Sequence, residues 1–181
     1  EGGRRARRVP LHSAMLIHHE RSAGVIPYKV VQGGELEFLV LHSALVRNPR
    51  AKWEFPKGSI EDDETPFQTA CREFEEETGI TQWRKLEGFE RTLSYTYIRR
   101  GKKVLKTVTY FIFEILDDST MARSSEHVED IFGYWFHWGS FNQIHRLLFH
   151  AKFRQLFVLA HETIRKYEMN RSAQAPPPMS T

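Results

Sequence analysis

The stretch GSIEDDETPFQTACREFEEETGI, residues 58–80, places eight acidic side chains in twenty-three positions, a density that repels itself unless a cation sits among them. Its local signals are those of one helix. Thr65, Pro66 and Gln68 read as an N-cap, a first-turn proline and the third-position amide of a capping box. Gly79 reads as the glycine just past the last turn. Phe67, Ala70, Cys71, Phe74 and Thr78 fall at helical spacing and predict one core-facing stripe; Cys71 is accounted for there as a small buried hydrophobe. On another stripe Glu73, Glu76 and Glu77, at i, i+3 and i+4, are expected within reach of a common point beside the helix. Like charges at that spacing cost a helix roughly 0.2–0.5 kcal/mol per pair, which a bound cation would reverse. Oxygen donors without cysteine or histidine nearby suit a hard ion, Mg2+ or Mn2+, rather than zinc. Arg72 is spaced to pair with Glu76 at i+4 or Glu75 at i+3.

Around this helix the pattern alternates between strands and helices. AGVIPYKV (23–30) and ELEFLVLHS (35–43) bracket Gln32–Gly34 and predict a hairpin. RTLSYTYIRR (91–100) and KVLKTVTYFIFEI (103–115) bracket Gly101 and predict a second, rich in aromatic and β-branched residues. IFGYWFHW (131–138) reads as a further strand. Residues 141–168 carry apolar positions at helical spacing, so they form one long helix or two in series. Strand alternation puts Lys106, Val108 and Tyr110 on one face, and Tyr95, Tyr97 and Arg99 on one face of the partner strand, a row able to stack a base and hold its phosphates. A twisted sheet flanked by helices is α/β or α+β.

With 181 residues, 40% of them hydrophobic, one core and one domain are the expectation. Net charge is only +3 on 26 basic and 23 acidic residues, so no specific nucleic-acid partner is expected and any anion site is local. A single cysteine excludes an internal disulfide framework and fits a reducing, cytoplasmic setting. No run of about 18 apolar residues is present to span a membrane. Residues 1–19, with Arg4, Arg5, Arg7 and Arg8, read as a flexible basic arm, truncated or processed since it opens on Glu1. The folded domain is expected over 20–170, and 171–181, with three consecutive prolines, as a disordered tail.

Gly58, five residues, Glu64, seven residues, then Arg72-Glu73-Phe74-x-Glu76-Glu77-x-Gly79-Ile80 matches every fixed position of G-x5-E-x7-R-E-U-x-E-E-x-G-U, with U aliphatic or aromatic, and so resembles the Nudix box. The resemblance implies an α/β/α sandwich with a central mixed sheet flanked by helices. It implies a hydrolase of a nucleoside diphosphate linked to another moiety. It further implies metal binding by Glu73, Glu76, Glu77 and the Gly58 carbonyl, with Arg72 and Glu64 orienting them. The general base is then one of these glutamates or one outside the box. Three flanking segments are similar to asymmetric dinucleoside tetraphosphate hydrolases: Trp53-x-Phe55-Pro56-Lys57-Gly58, Lys106-Thr107-Val108-Thr109-Tyr110-Phe111 and Ser125-Glu126-His127. They imply a nucleotide polyphosphate substrate held by Lys57, Lys106, Tyr110 and Tyr97. They also point to Glu126 as a catalytic carboxylate, with Glu129 second. A nucleoside triphosphate pyrophosphatase, a diphosphoinositol polyphosphate hydrolase and a non-catalytic nucleotide sensor are the alternatives.

Overall fold

The computed structural model describes residues 17–43, 52–121 and 134–174. In chain order the elements are β1 (His18–Val30), β2 (Leu36–Ser43), β3 (Lys57–Ser59), α1 (Pro66–Thr78), β4 (Gln82–Arg99), β5 (Lys102–Asp117), β6 (Tyr134–Gly139), α2 (Phe141–Leu147) and α3 (Ala151–Gln174). The sheet runs β4-β5-β1-β2-β6, with β3 also on β1. β1 and β5 are parallel and the other described pairs antiparallel, so the sheet is mixed. No helix of the described residues is long and apolar enough to cross a membrane.

Both hairpins form where turn chemistry allows. Gly33 and Gly34, at φ 88° and 80°, turn β1 into β2, and Tyr28 pairs with Phe38. Arg100 and Gly101, at φ 50° and 74°, make a two-residue turn with both residues left-handed, the arrangement that matches strand twist. β4 begins at Gln82, nine residues before the expected start. Its register shifts between Lys85 and Glu90, around Gly88 at φ 82°, and that irregularity breaks the alternation by which a strand is read.

β1 gives one edge to β5 along its length and divides the other. Ser22, Ala23 and Gly24 pair with Ser59, Gly58 and Lys57, whereas Tyr28, Lys29 and Val30 pair with β2. Successive side chains enter two cores. Val25, Leu39, Phe111 and Phe113 pack with Ala70 and Phe74 of α1. Ile26, Tyr28, Phe38, Tyr110 and Ile112 pack with Phe153, Phe157 and Ile164 of α3. The result is a helix–sheet–helix sandwich, in the class expected.

The expected C-terminal helix is two. α2 ends at Leu147, Leu148 is extended (ψ 114°) and bridges to Trp53, and α3 starts at Ala151. α3 continues through Gln174, so 171–174 are helical rather than tail. The reason is that Arg171 binds Glu114 at 2.7 Å and Glu168 at 2.9 Å. β1 likewise begins at His18, two residues before the expected start of the domain. Most of the basic arm and the prolines lie outside the described residues.

Candidate active site

α1 is fixed at both ends by its own sequence. Thr65 Oγ1 accepts from the Gln68 N–H while Gln68 returns a bond to the Thr65 N–H, and Gly79 closes the helix at φ 72°. Phe74, fully buried edge-on to Phe113, sets the rotation about the helix axis. With that stripe inward, Arg72, Glu73 and Glu77 face β3.

Arg72 is the hub of the acidic face. Its Nε and Nη2 donate to the two oxygens of Glu64 at 2.7 and 2.9 Å, and Nη1 donates to Glu73 at 2.9 Å and Glu76 at 3.2 Å. Nη2 also reaches the Ser59 carbonyl at 3.2 Å. Glu64 accepts from Thr69 Oγ1 at 2.7 Å as well, and the bonds from Arg72 and Thr69 hold its carboxyl down to about 2. The same bonds to Glu64, then Glu73, raise the Arg72 guanidinium above its already high value, so it is a permanent cation. Arg72 takes Glu76 and not Glu75, because Glu75 accepts from the Trp83 indole at 2.9 Å.

Glu73 lies against the Gly58 backbone: a Cβ placed there would fall 1.7 Å from Glu73 Cδ. Glu77 accepts the Lys57 N–H at 3.0 Å. The box thus brings Gly58, Glu64, Arg72, Glu73, Glu76 and Glu77 to one edge of β3. Among the described residues no three acidic, histidine or cysteine side chains converge as a cation cage in this arrangement. Arg72 draws Glu73 and Glu76 one way and the Lys57 amide draws Glu77 another. The donors themselves, carboxylate oxygens beside a side-chain-free glycine, match the chemistry of a hard divalent ion.

The substrate-residue expectations fare unevenly. Tyr110 is wholly buried and edge-on to Phe55 and Phe153, so it has no free face for a base; α3 covers the strand there, which alternation alone does not reveal. Tyr97 is half-buried and donates to Glu20 at 2.8 Å. Lys57 Nζ is ion-paired with Glu54. Lys106 is half-buried opposite Tyr95, and burial and then the charge of Lys57 lower its pKa. Glu126 and Glu129 lie outside the described residues.

Sequence reasoning missed Glu20, Glu54 and His150, and it marked Tyr95 only as one member of a row able to stack a base. Tyr95 is half-buried, its ring roughly parallel to His150 with centroids 6.2 Å apart. Alternation with Tyr97 marks Tyr95, but His150 sits in the helix break, which periodicity does not flag. A cleft lined by Trp53, Phe149, His150 and Phe153 opens beside it.

A strand edge carrying lysines, set against an arginine-braced glutamate helix in a mixed-sheet sandwich, defines a class. The NUDIX domain model matches residues 18–157, and the chain belongs to the Nudix family of phosphoanhydride hydrolases. Within that family it is similar to the asymmetrical bis(5'-nucleosyl)-tetraphosphatase of Rattus norvegicus, 36% identical over 115 residues, covering 59% of this chain and 74% of that protein. It is also similar to a Mycobacterium tuberculosis protein named as putative mutator protein MutT4, 31% identical over 160 residues. That match takes in 88% of this chain but spans only 61% of the mycobacterial protein. The crystal structure of a Caenorhabditis elegans Ap4A hydrolase binary complex shares the fold, with TM-score 0.64, 23% identity and coverage of 83% of this chain and 98% of that one.

Proposed function

We propose that this chain is a divalent-metal-dependent pyrophosphohydrolase that cleaves a dinucleoside tetraphosphate asymmetrically, giving ATP and AMP from diadenosine tetraphosphate. The observation that carries the reading is the joining of two sites on β3. Its outer edge meets the glutamate helix at Glu73 and Glu77, while its Lys57 side chain stands on the face that holds Lys106 and Tyr95. Similarity to the rat tetraphosphatase supports the same substrate.

Glu73, Glu76 and Glu77, with the Gly58 carbonyl, would hold Mg2+ or Mn2+. Such an ion supplies neutralisation of phosphate oxygens and an acidified water. Arg72, held by Glu64, orients Glu73 and Glu76 through its hydrogen bonds to them. Lys57 and Lys106 hold phosphate oxygens, and Tyr95 presents a ring on which a base stacks, a contact worth about 1–3 kcal/mol. The proton acceptor is a glutamate of the box or Glu126 outside it. The lone Cys71, half-buried with its thiol pushed by burial to about 11, suits a reducing cytoplasmic setting.

A product panel resolved by chromatography tests the substrate. ATP and AMP from diadenosine tetraphosphate support the reading. Nucleoside monophosphate plus pyrophosphate from a triphosphate, at higher kcat/KM, replaces it with the pyrophosphatase reading. Orthophosphate from an inositol pyrophosphate replaces it with the diphosphoinositol one, and nucleotide binding without turnover with a sensor.

A further inference from the structure

Three buried side-chain polar atoms lack a hydrogen-bond partner among the described residues, and two of them share one sheet face: Ser22 Oγ and Tyr110 Oη. The third, Trp138 Nε1, is on β6. Gly24 fixes the face. A Cβ added to it would fall 2.7 Å from Lys57 Cβ and 2.8 Å from Tyr110 Cε1, so Gly24, Lys57 and Tyr110 face the same way. Ser22, two residues before Gly24 in β1, faces that way too.

The register then surrounds Ser22. Ser59 is opposite it on β3 and Val108 opposite it on β5, so Lys57, Lys106 and Tyr110 are its diagonal neighbours. Two hydroxyls without partners therefore lie on the sheet face that carries Lys57 and Lys106. Ser22 is 1% exposed, and on the same face the Lys57 Cβ sits beside Gly24, with the Lys57 ammonium drawn aside to Glu54. A buried hydroxyl without a partner destabilises a protein. An oxyanion bound on this face would give the two hydroxyls an acceptor and Lys57 an alternative to Glu54.

We propose that Ser22, with Tyr110 beside it, is a hydrogen-bond donor in a phosphoryl-binding recess that Lys57 covers in the free protein and uncovers when its ammonium leaves Glu54 for a phosphate oxygen. The ligand is a polyphosphate chain, and Ser22 acts on affinity rather than on the chemical step. The inference rests on the hydrolase reading above, and inorganic triphosphate is the probe that separates the two.

The variants are Ser22→Ala and Tyr110→Phe, each read by triphosphate affinity in a calorimeter, by thermal midpoint and by KM against kcat on diadenosine tetraphosphate. A recess predicts a triphosphate Kd and KM raised about tenfold or more, as expected on losing a bond to a charged group. It also predicts kcat within about twofold and a midpoint unchanged or raised by roughly 2–4 °C, because an unsatisfied group has been removed. Packing alone predicts the reverse pairing, a lowered midpoint with Kd and KM unchanged, and that result overturns the recess. Unchanged values throughout overturn it too, as does a wild-type protein that binds no triphosphate. Wild-type triphosphate binding with no dinucleotide cleavage overturns the substrate reading and leaves the recess standing.

Discussion

Replacing Gly58 by alanine puts a defined displacement into the site. The new Cβ would fall 1.7 Å from Glu73 Cδ, and 2.0 and 2.1 Å from its oxygens. Ordinary contact is about 3.5 Å, so the carboxylate must retreat by roughly 2 Å. Gly58 is not among the described positive-φ residues, so alanine adds no backbone strain. What blocks it is the end of a flexible side chain, which moves at little cost to the fold. Misplacing a reacting group by about 1 Å costs about a hundredfold in rate. Gly58→Ala is therefore expected to lose at least about a hundredfold in turnover while its thermal midpoint stays within roughly 4 °C of wild type. Gly24→Ala is the counterpart, because its Cβ would fall 2.5 Å from the Pro56 carbonyl oxygen, a backbone atom. That variant is expected to lose about 1–3 kcal/mol of stability, the ordinary range for overpacking. Steady-state kinetics beside thermal melts decide the matter. Wild-type turnover in Gly58→Ala, or a loss of turnover explained by unfolding, would refute the placement of Glu73.

Glu76→Gln and Glu77→Gln are each expected to lower turnover at least about a hundredfold, as is excess chelator, while melts stay near wild type; full activity in any of the three removes the metal assignment. Glu114, 7% exposed, is pushed up by burial but pulled further down by bonds from Arg84 and Arg171, so its folded pKa lies below the ordinary carboxylate value. Its contribution is thus complete above the unfolded value and lost as pH falls through the lower folded one. Glu114→Gln is expected to cost about 1–3 kcal/mol at pH 7 in urea melts and to flatten the acid limb of stability; an unchanged limb counts against the network. For Glu126→Gln beside Glu129→Gln, the catalytic one is expected to lose roughly ten- to a thousandfold in kcat and the acidic limb of its pH–rate profile. Wild-type profiles in both return proton transfer to the box.

What was legible in the sequence was what local chemistry decides. Thr65, Gln68 and Gly79 announce the ends of α1 because caps are satisfied within a turn, and Phe67 to Thr78 announce its buried side because 3.6-residue periodicity needs no partner. The choice Arg72 makes was not legible. Its strongest partner, Glu64, is eight residues away across a loop, and Glu75 is lost to Trp83, which arrives on a strand formed later in the chain. The first half of β4 was hidden by the bulge at Gly88. Tyr110 was placed on the correct face of its strand and in the wrong environment, since alternation says which way a side chain points but not that α3 lies over it. Lys57 shows the same limit, because its ion pair with Glu54 depends on how the 52–57 segment passes β1.

The divided edge of β1 has a consequence for tolerance to change. Residue 25 donates its amide to Pro56 on that edge, so by alternation residue 27 would donate on the same side, in the interval between the rungs to β3 and those to β2. Position 27 is proline, which has no amide to give. β2 therefore cannot zip further along β1 and displace β3, and the two partners keep separate registers. Lengthening or shortening the Gln32–Gly34 turn still reaches Gly58 by another route, because Leu41 of β2 exchanges two backbone hydrogen bonds of 2.9 Å with Glu54, and a slide of the hairpin would carry the segment leading into β3 with it. The register of β3 on β1 is protected by the proline, while its approach is tied to the hairpin at Leu41 and Glu54.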